Sequence, residues 1–145
     1  MRQAARIARS CAELESHPVE TNHVLGIHAL LTKLKRRSLI VLFTDFADST
    51  TAELMVDHLG HLARRHLIMF VALDDPVIEE PLDRTPGSAQ DLAAAVVAGG
   101  LRQERHRVLR RLTRMGVDVI HGPPGPATLR LLARYVHVKR RGLIG

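Results

Sequence analysis

Aromatic residues and cysteines are scarce in this sequence of 145 residues. It has no tryptophan, one tyrosine and three phenylalanines, whereas modules that bind single-stranded nucleic acid usually stack bases on aromatic side chains. That mode of nucleic-acid binding is therefore poorly supported. Cys11 is the single cysteine, which excludes a disulfide or a cysteine-based zinc site within one chain. A reducing, cytoplasmic location is the expectation that follows.

Long apolar runs and lysine are scarce as well. No wholly apolar run is longer than the seven residues 67–73, whereas a membrane-spanning helix needs about 20, so we expect no transmembrane segment. No continuous apolar stretch follows the N-terminal arginines, which argues against a secretory signal. Only three of the 21 basic residues are lysines, and the formal net charge is +6. A basic balance is typical of proteins that bind nucleic acid, anionic lipid or an acidic protein partner.

Helical and strand patterns alternate along the chain. Two helical patterns come first, and apolar runs at residues 39–43, 67–73 and 117–120 predict three strands with helices between them. In the first two runs the apolar residues are continuous rather than alternating, which is typical of parallel strands buried on both faces. We therefore predict a single domain over residues 1–145, with a three-layer Rossmann-like α/β fold. Its small, mostly parallel sheet has about three strands and flanking helices.

Proline and glycine mark the predicted interruptions. Residues 74–87 contain three prolines and are predicted to form a loop, and residues 122–126 are predicted to form a rigid turn. A long helix is expected after the loop, and the Gly99-Gly100 pair predicts a break in it. The last helix is expected to use the apolar residues Leu129, Leu132, Ala133 and Val136.

The predicted sheet has two open edges. An open edge favours pairing with another chain, because its backbone donors and acceptors have no partners. Either a partner completes the sheet, or the chain is the later part of a larger domain. We expect the edge formed by residues 39–43 to promote self-association.

Polar side chains follow the ends of the predicted strands, where open α/β sheets bind their ligands. Thr44, Asp45 and Asp48 come after the first strand, Asp74 and Asp75 after the second, and His121 after the third. Because neighbouring strands lie about 4.8 Å apart, Asp45 and Asp74 are expected to approach each other. Carboxylate oxygens suit Mg²⁺ or Mn²⁺. Asp48 and Asp74 could instead satisfy backbone amides at a turn or a helix start.

Besides metal binding alone, the residues are compatible with two functions. A Mg²⁺-dependent phosphohydrolase would use Asp45, Asp48 and Asp74, although the sequence lacks the Asp-x-Asp spacing of one common phosphatase class. A non-specific nucleic-acid binder would use a helical stripe of arginines, for which a solvated helix face is the simpler explanation. The stripe consists of Arg107, Arg110, Arg111 and Arg114, extended by Arg102 or Arg105.

Four segments resemble the bacterial "domain of unknown function 58" proteins, which contain a von Willebrand factor A-like domain. The most specific is residues 36–53, which includes the block Phe-Thr-Asp-Phe-Ala-Asp after an apolar strand that follows basic residues. The other segments are residues 62–76, 110–120 and 131–139. These segments lie between residues 36 and 139, and the resemblance extends over nearly the whole chain.

The resemblance implies a divalent cation at the top of the sheet, in a metal-ion-dependent adhesion site built from three loops. Asp45 matches the aspartate that follows the fourth strand of the family, and Thr21 takes the place of the threonine loop. The Asp-x-Ser-x-Ser motif of the first loop has no counterpart, and family members carry their first three strands before the position of Met1. The candidate metal residues, with Asp45 foremost, are Asp45, Thr21, Thr44, Asp48 and Asp74.

The expected function is therefore recognition rather than catalysis. The resemblance implies a non-enzymatic protein-interaction module with an incomplete metal-ion-dependent adhesion site. Its partner would be another protein, such as an AAA+ ATPase of the kind associated with this family. An acidic group of that partner would complete the coordination of Mg²⁺ or Mn²⁺ at Asp45.

Overall fold

The computed structural model of the protein describes residues 2–15, 22–44 and 49–144. The helices and strands of this part of the chain follow in the order α1 (Arg2–Ala12), α2 (His23–Lys33), β1 (Leu39–Phe43), α3 (Ser49–Ala63), β2 (Leu67–Leu73), α4 (Pro76–Asp83), α5 (Ala89–Arg114), β3 (Asp118–Gly122) and α6 (Pro124–Arg140). None of the described helices is long and apolar enough to span a bilayer.

The three strands form one parallel sheet in the order β1-β2-β3. Phe43 pairs with Val71 and Ala72 pairs with His121, so the carboxyl ends of the strands lie along one edge of the sheet. The predicted strands at residues 39–43 and 67–73 are confirmed with the same bounds. The third strand begins one residue later than predicted and extends to Gly122.

The two faces of the sheet pack against different helices. On one face, Phe70 and Ala72 join the main core with α2, α3 and α5. Val71, which points to the opposite face because strand side chains alternate, packs with Ile120 of β3 and Ala127 of α6. Helix layers on both faces of a parallel sheet confirm the predicted Rossmann-like α/β arrangement.

Helix α3 supplies the centre of the main core. Its apolar side chains recur at helical spacing, and they are at most 1% exposed. They stack against Phe70 of β2, which is fully buried. The α3 residues of this stripe are Ala52, Met55, Leu59 and Leu62.

A buried histidine joins the starts of β1 and β2. The Nδ1 atom of His66 accepts a hydrogen bond from the backbone N–H of Ser38 at 3.2 Å. One residue further, the backbone N–H of Leu67 donates to the carbonyl of Ser38 at 2.9 Å. His66 is 4% exposed, so its ring satisfies a donor that solvent reaches poorly. These two bonds align the strand starts and thereby set the register of their carboxyl ends.

The predicted loop at residues 74–87 is wrong, because most of it forms α4. Asp75 is the N-cap, and its Oδ1 accepts a hydrogen bond from the N–H of Val77 at 2.9 Å. Pro76 stands in the first helical turn, where the missing N–H has no intrahelical acceptor to lose. The N-cap at Asp75 and the proline in the first turn therefore start a helix where the prolines predict a loop.

The predicted break at Gly99-Gly100 is also wrong, because α5 runs without interruption through both glycines. Ser88 is the N-cap of α5, and its Oγ accepts a hydrogen bond from the N–H of Asp91 at 3.1 Å. A Cβ on Gly99 would lie 3.8 Å from Leu82 of α4. Packing of α4 against α5 holds this part of the long helix in place.

The predicted rigid turn at residues 122–126 is wrong, since α6 begins at Pro124 with Pro123 as N-cap. The apolar side chains expected to pack from α6 are exposed, including Leu129 at 71% and Leu132 at 55%. Instead, α6 contacts the sheet through Ala127 and Leu131. The sheet here is narrow, and it covers only one side of the helix.

The expectation that β1 is buried on both faces is wrong too. Ile40 and Leu42 pack into the main core, whereas Val41 is 37% exposed and Phe43 is 62% exposed. Helix α6 packs on β2 and β3 and has no contact with β1. The face of β1 that carries Val41 and Phe43 is therefore open.

Helix α1 stands apart from the rest of the described structure. It ends at Ala12, and it has no contact with any other described helix or strand. Ile7 of α1 is 60% exposed, and Leu14, two residues past its end, is 77% exposed.

Candidate functional site

Three polar residues predicted from strand ends lie at the carboxyl edge of the sheet. Thr44 directly follows β1, and its N–H donates to the carbonyl of Val71 at 3.3 Å. Asp74 directly follows β2, and its N–H donates to the carbonyl of Gly122 at 3.1 Å. His121 is within β3, one residue before its end. These bonds extend the sheet pattern past the strand ends and hold the three residues at one edge.

Thr44 carries a hydroxyl without a hydrogen-bond partner in the described part of the chain. Its Oγ1 atom is buried. Buried hydroxyls nearly always have a partner, so an orphaned one marks a place where a ligand oxygen, a cation or another polar group fits. As a neutral oxygen beside a carboxylate-rich segment, the hydroxyl suits the ligand set of Mg²⁺.

Three of the predicted metal residues, Thr21, Asp45 and Asp48, lie outside the described residues. Asp74 is half-buried at the sheet edge. Within residues 2–15, 22–44 and 49–144, no group of three or more His, Cys, Asp or Glu side chains could hold a metal ion. The metal site at Asp45 stays a prediction, with the hydroxyl of Thr44 as its one fitting feature in the described structure.

Beside Asp74 lie four basic side chains from α5, β3 and α6. We call these four residues, together with Asp74, the strand-end cluster. It consists of Asp74, Arg105, His106, His121 and Arg130.

Arg105 is the most buried charged residue of the strand-end cluster, with 8% of its surface exposed. It shares a face of α5 with the buried Leu109 and Leu112, which follow it by four and seven residues. Its Nη2 donates a hydrogen bond to the carbonyl of Leu73, the last residue of β2. The arginine thereby satisfies a carbonyl at the end of the strand.

The two histidines of the strand-end cluster are in ring contact. The rings of His106 and His121 meet edge to face, with centroids 5.8 Å apart and planes at 73°. Partial burial lowers the pKa of His121 below its ordinary value, and the nearby charges of His106, Arg130 and Arg105 lower it further, against the opposing charge of Asp74. The positive charges near the His121 ring thus lower its pKa more than the single carboxylate of Asp74 raises it.

Arg130 reaches the same edge from α6, on the opposite face of the sheet. Its Nη2 donates to the carbonyl of His121. The adjacent Gly122 has φ of +128°, and a Cβ at that position would lie 2.7 Å from the Arg130 Nη2 and 4.0 Å from the Asp74 Oδ2. A side chain at position 122 would fill the space in which arginine and aspartate approach each other.

The strand-end cluster carries the kinds of donor group that bind anions. Its two guanidinium groups provide planar donor forks, its imidazoles provide N–H donors, and one carboxylate opposes them. Sequence patterns indicated Asp74 and His121 through their strand-end positions, but they did not indicate His106 and Arg130. For Arg105 the sequence predicts only a place on the arginine stripe of α5.

The arginine stripe predicted on α5 is interrupted in the structure. Arg105 is buried and points to the sheet, contrary to its expected place on the stripe. Arg111 forms an ion pair with Asp57 of α3 at 2.7 Å, and Arg102 forms one with Glu79 of α4 at 3.6 Å. Within the described part of the chain, the stripe arginines that are exposed and form no ion pair are Arg107, Arg110 and Arg114.

Comparisons of the chain with models of protein families, with curated proteins and with solved structures find no match.

Proposed function

We propose that the chain is a non-enzymatic protein-interaction module, similar to the later part of a von Willebrand factor A-like domain, and that its partner docks on β1. The observation that carries this proposal is the open side of β1. Among the described residues this strand pairs only with β2, and Phe43 on it is 62% exposed.

The open side of β1 has the chemistry of a strand-addition site. Its outer edge offers backbone donors and acceptors in an extended conformation, which an incoming strand can pair. Val41 and Phe43 add apolar side chains on the face that α6 leaves uncovered. An extended apolar segment of a partner would therefore gain both ladder hydrogen bonds and burial.

The proposed partner is a protein, either a second copy of the chain or, as the family resemblance implies, an AAA+ ATPase. The first test is sedimentation velocity of the full chain over a wide concentration range. We expect wild type to self-associate and Phe43→Lys to be monomeric, because a charge on the open edge opposes strand pairing.

The matched control is Val77→Lys, which places the same charge on α4 at a residue that is 78% exposed. It should leave association unchanged. The same three proteins, titrated into a purified AAA+ ATPase of the same organism, test the other partner. If wild type is monomeric at all concentrations, and Phe43→Lys binds the ATPase as tightly as wild type does, docking on β1 is wrong.

A second candidate function is cation binding beside β1, and the orphaned hydroxyl of Thr44 favours it. Here Thr44 and Asp45 would supply oxygen ligands to Mg²⁺ or Mn²⁺, with the remaining ligands from the partner. We expect titration calorimetry to show Mg²⁺ binding by wild type with its partner present, and much weaker binding by Thr44→Val and Asp45→Ala. Equal heats for all three proteins would exclude these ligands.

A further inference from the structure

We propose that the strand-end cluster binds a small phosphate-class oxyanion, held by Arg105 and Arg130 with His106 and His121. This site is separate from the β1 docking surface and does not depend on it.

The first argument is the burial of Arg105. The residue as a whole is 8% exposed, and it forms no ion pair within the described part of the chain. Its hydrogen bond to the Leu73 carbonyl engages a single Nη, whereas a guanidinium has five N–H donors. Buried charges in proteins are ordinarily paired, since an isolated one is costly to desolvate. An anion at this edge would supply the missing countercharge.

The second argument is convergence from three elements. Arg105 and His106 come from α5, His121 from β3 and Arg130 from α6, and contacts tie them to the same strand end. Ligands of open α/β sheets bind at this carboxyl edge. Gly122 leaves the space beside Arg130 free of a side chain.

The balance of charge distinguishes an anion from a cation. Around His121 lie two guanidinium groups and one carboxylate, that of Asp74; burial lowers the pKa of His121, and the excess of positive charge lowers it further. Guanidinium forks match the oxygens of phosphate in geometry as well as in charge. A compact ligand is favoured over a polymer because Arg105 is too buried for an extended backbone to follow.

The experiment is titration calorimetry of the full chain with inorganic phosphate, in chloride buffer at constant ionic strength. We expect saturable binding by wild type. Arg105→Gln should weaken it about 10- to 100-fold, because a charged hydrogen-bonding partner is lost. Arg114→Gln is the matched control, since this exposed arginine lies about 13 Å further along the same helix, and it should change affinity less than about twofold.

Two further variants keep the result interpretable. If Arg105→Gln fails to fold by circular dichroism, His106→Gln replaces it, because this exposed side chain has only the ring contact to lose. Asp74→Asn should strengthen phosphate binding several-fold by removing repulsion. It would weaken Mg²⁺ binding if Asp74 were a cation ligand, so the two sites are distinguishable.

The proposal is overturned if folded wild type gives no saturable heat, or if Arg105→Gln and Arg114→Gln weaken binding equally. A second titration, with phenyl phosphate, identifies the source of the phosphate group. Tighter binding of the monoester than of inorganic phosphate would support an organic phosphate as ligand, and the reverse would support the free ion.

Discussion

His121 lies in surroundings that disfavour its protonation, and this has a consequence for stability. Its pKa is lowered by burial and by the charges of His106 and Arg130. When pH falls through the ordinary histidine pKa of about 6.5, the unfolded chain takes up this proton before the folded chain does. His121 therefore lowers the free energy of unfolding at acidic pH. Well above pH of about 6.5 it has no such effect, because the ring is neutral in both the folded and the unfolded chain.

We predict that His121→Asn removes this penalty. Relative to wild type, the variant should become more stable as pH falls from about 7.5 to 5.5, in the window below the ordinary histidine pKa. Urea unfolding of both proteins at several pH values, followed by circular dichroism, measures the difference. A difference that stays constant with pH would contradict the prediction.

The candidate site could be predicted only in part from single residues. Thr44, Asp74 and His121 follow strands, and strand ends of a parallel sheet meet at one edge, so sequence position was sufficient for them. Arg105 could have been found through its spacing from Leu109 and Leu112, which places it on the buried face of α5. The approach of Arg130 depends on how α6 crosses the sheet, which no local pattern encodes.

At the scale of the elements, α5 and α6 provide a matched pair of leucines. Leu112 of α5 is fully buried, whereas Leu129 of α6 is 71% exposed. We predict that Leu112→Ala lowers the free energy of unfolding by about 2–5 kcal/mol, through lost burial and a cavity. Leu129→Ala should stay within about 0.5 kcal/mol of wild type. Urea denaturation measures both, and equal losses would mean that the outer face of α6 is covered in solution.

Strands and central helices were predictable, while the proline-rich boundaries were not. The strands and α3 have strong apolar patterns, and the structure follows them. The prolines of residues 74–87 predict a loop and hide the start of α4, although Asp75 before Pro76 is a good N-cap. Periodicity also predicts the outward face of α6 as its packing face, since an uncovered apolar stripe has the same periodicity as a buried one.

At the scale of the whole molecule, the fold has one element that adds nothing to its packing. Because α1 has no contact with the other described elements, we predict that deleting residues 1–12 changes the free energy of unfolding by less than about 0.5 kcal/mol. Urea denaturation of the shortened and full chains tests this. A loss above about 1 kcal/mol would show that α1 packs against the domain or against another copy.

The order of the sheet also determines which strand edges are unpaired while the chain is being synthesised. Strands are added in chain order, so β1 and β2 can pair as soon as residue 73 is available, but the second edge of β2 waits for β3 (Asp118–Gly122). At ~5–20 residues per second, translation leaves that edge open for several seconds. During synthesis the central strand of the finished sheet is thus briefly an edge strand, and nascent chains on one polysome are exposed to mispairing through it.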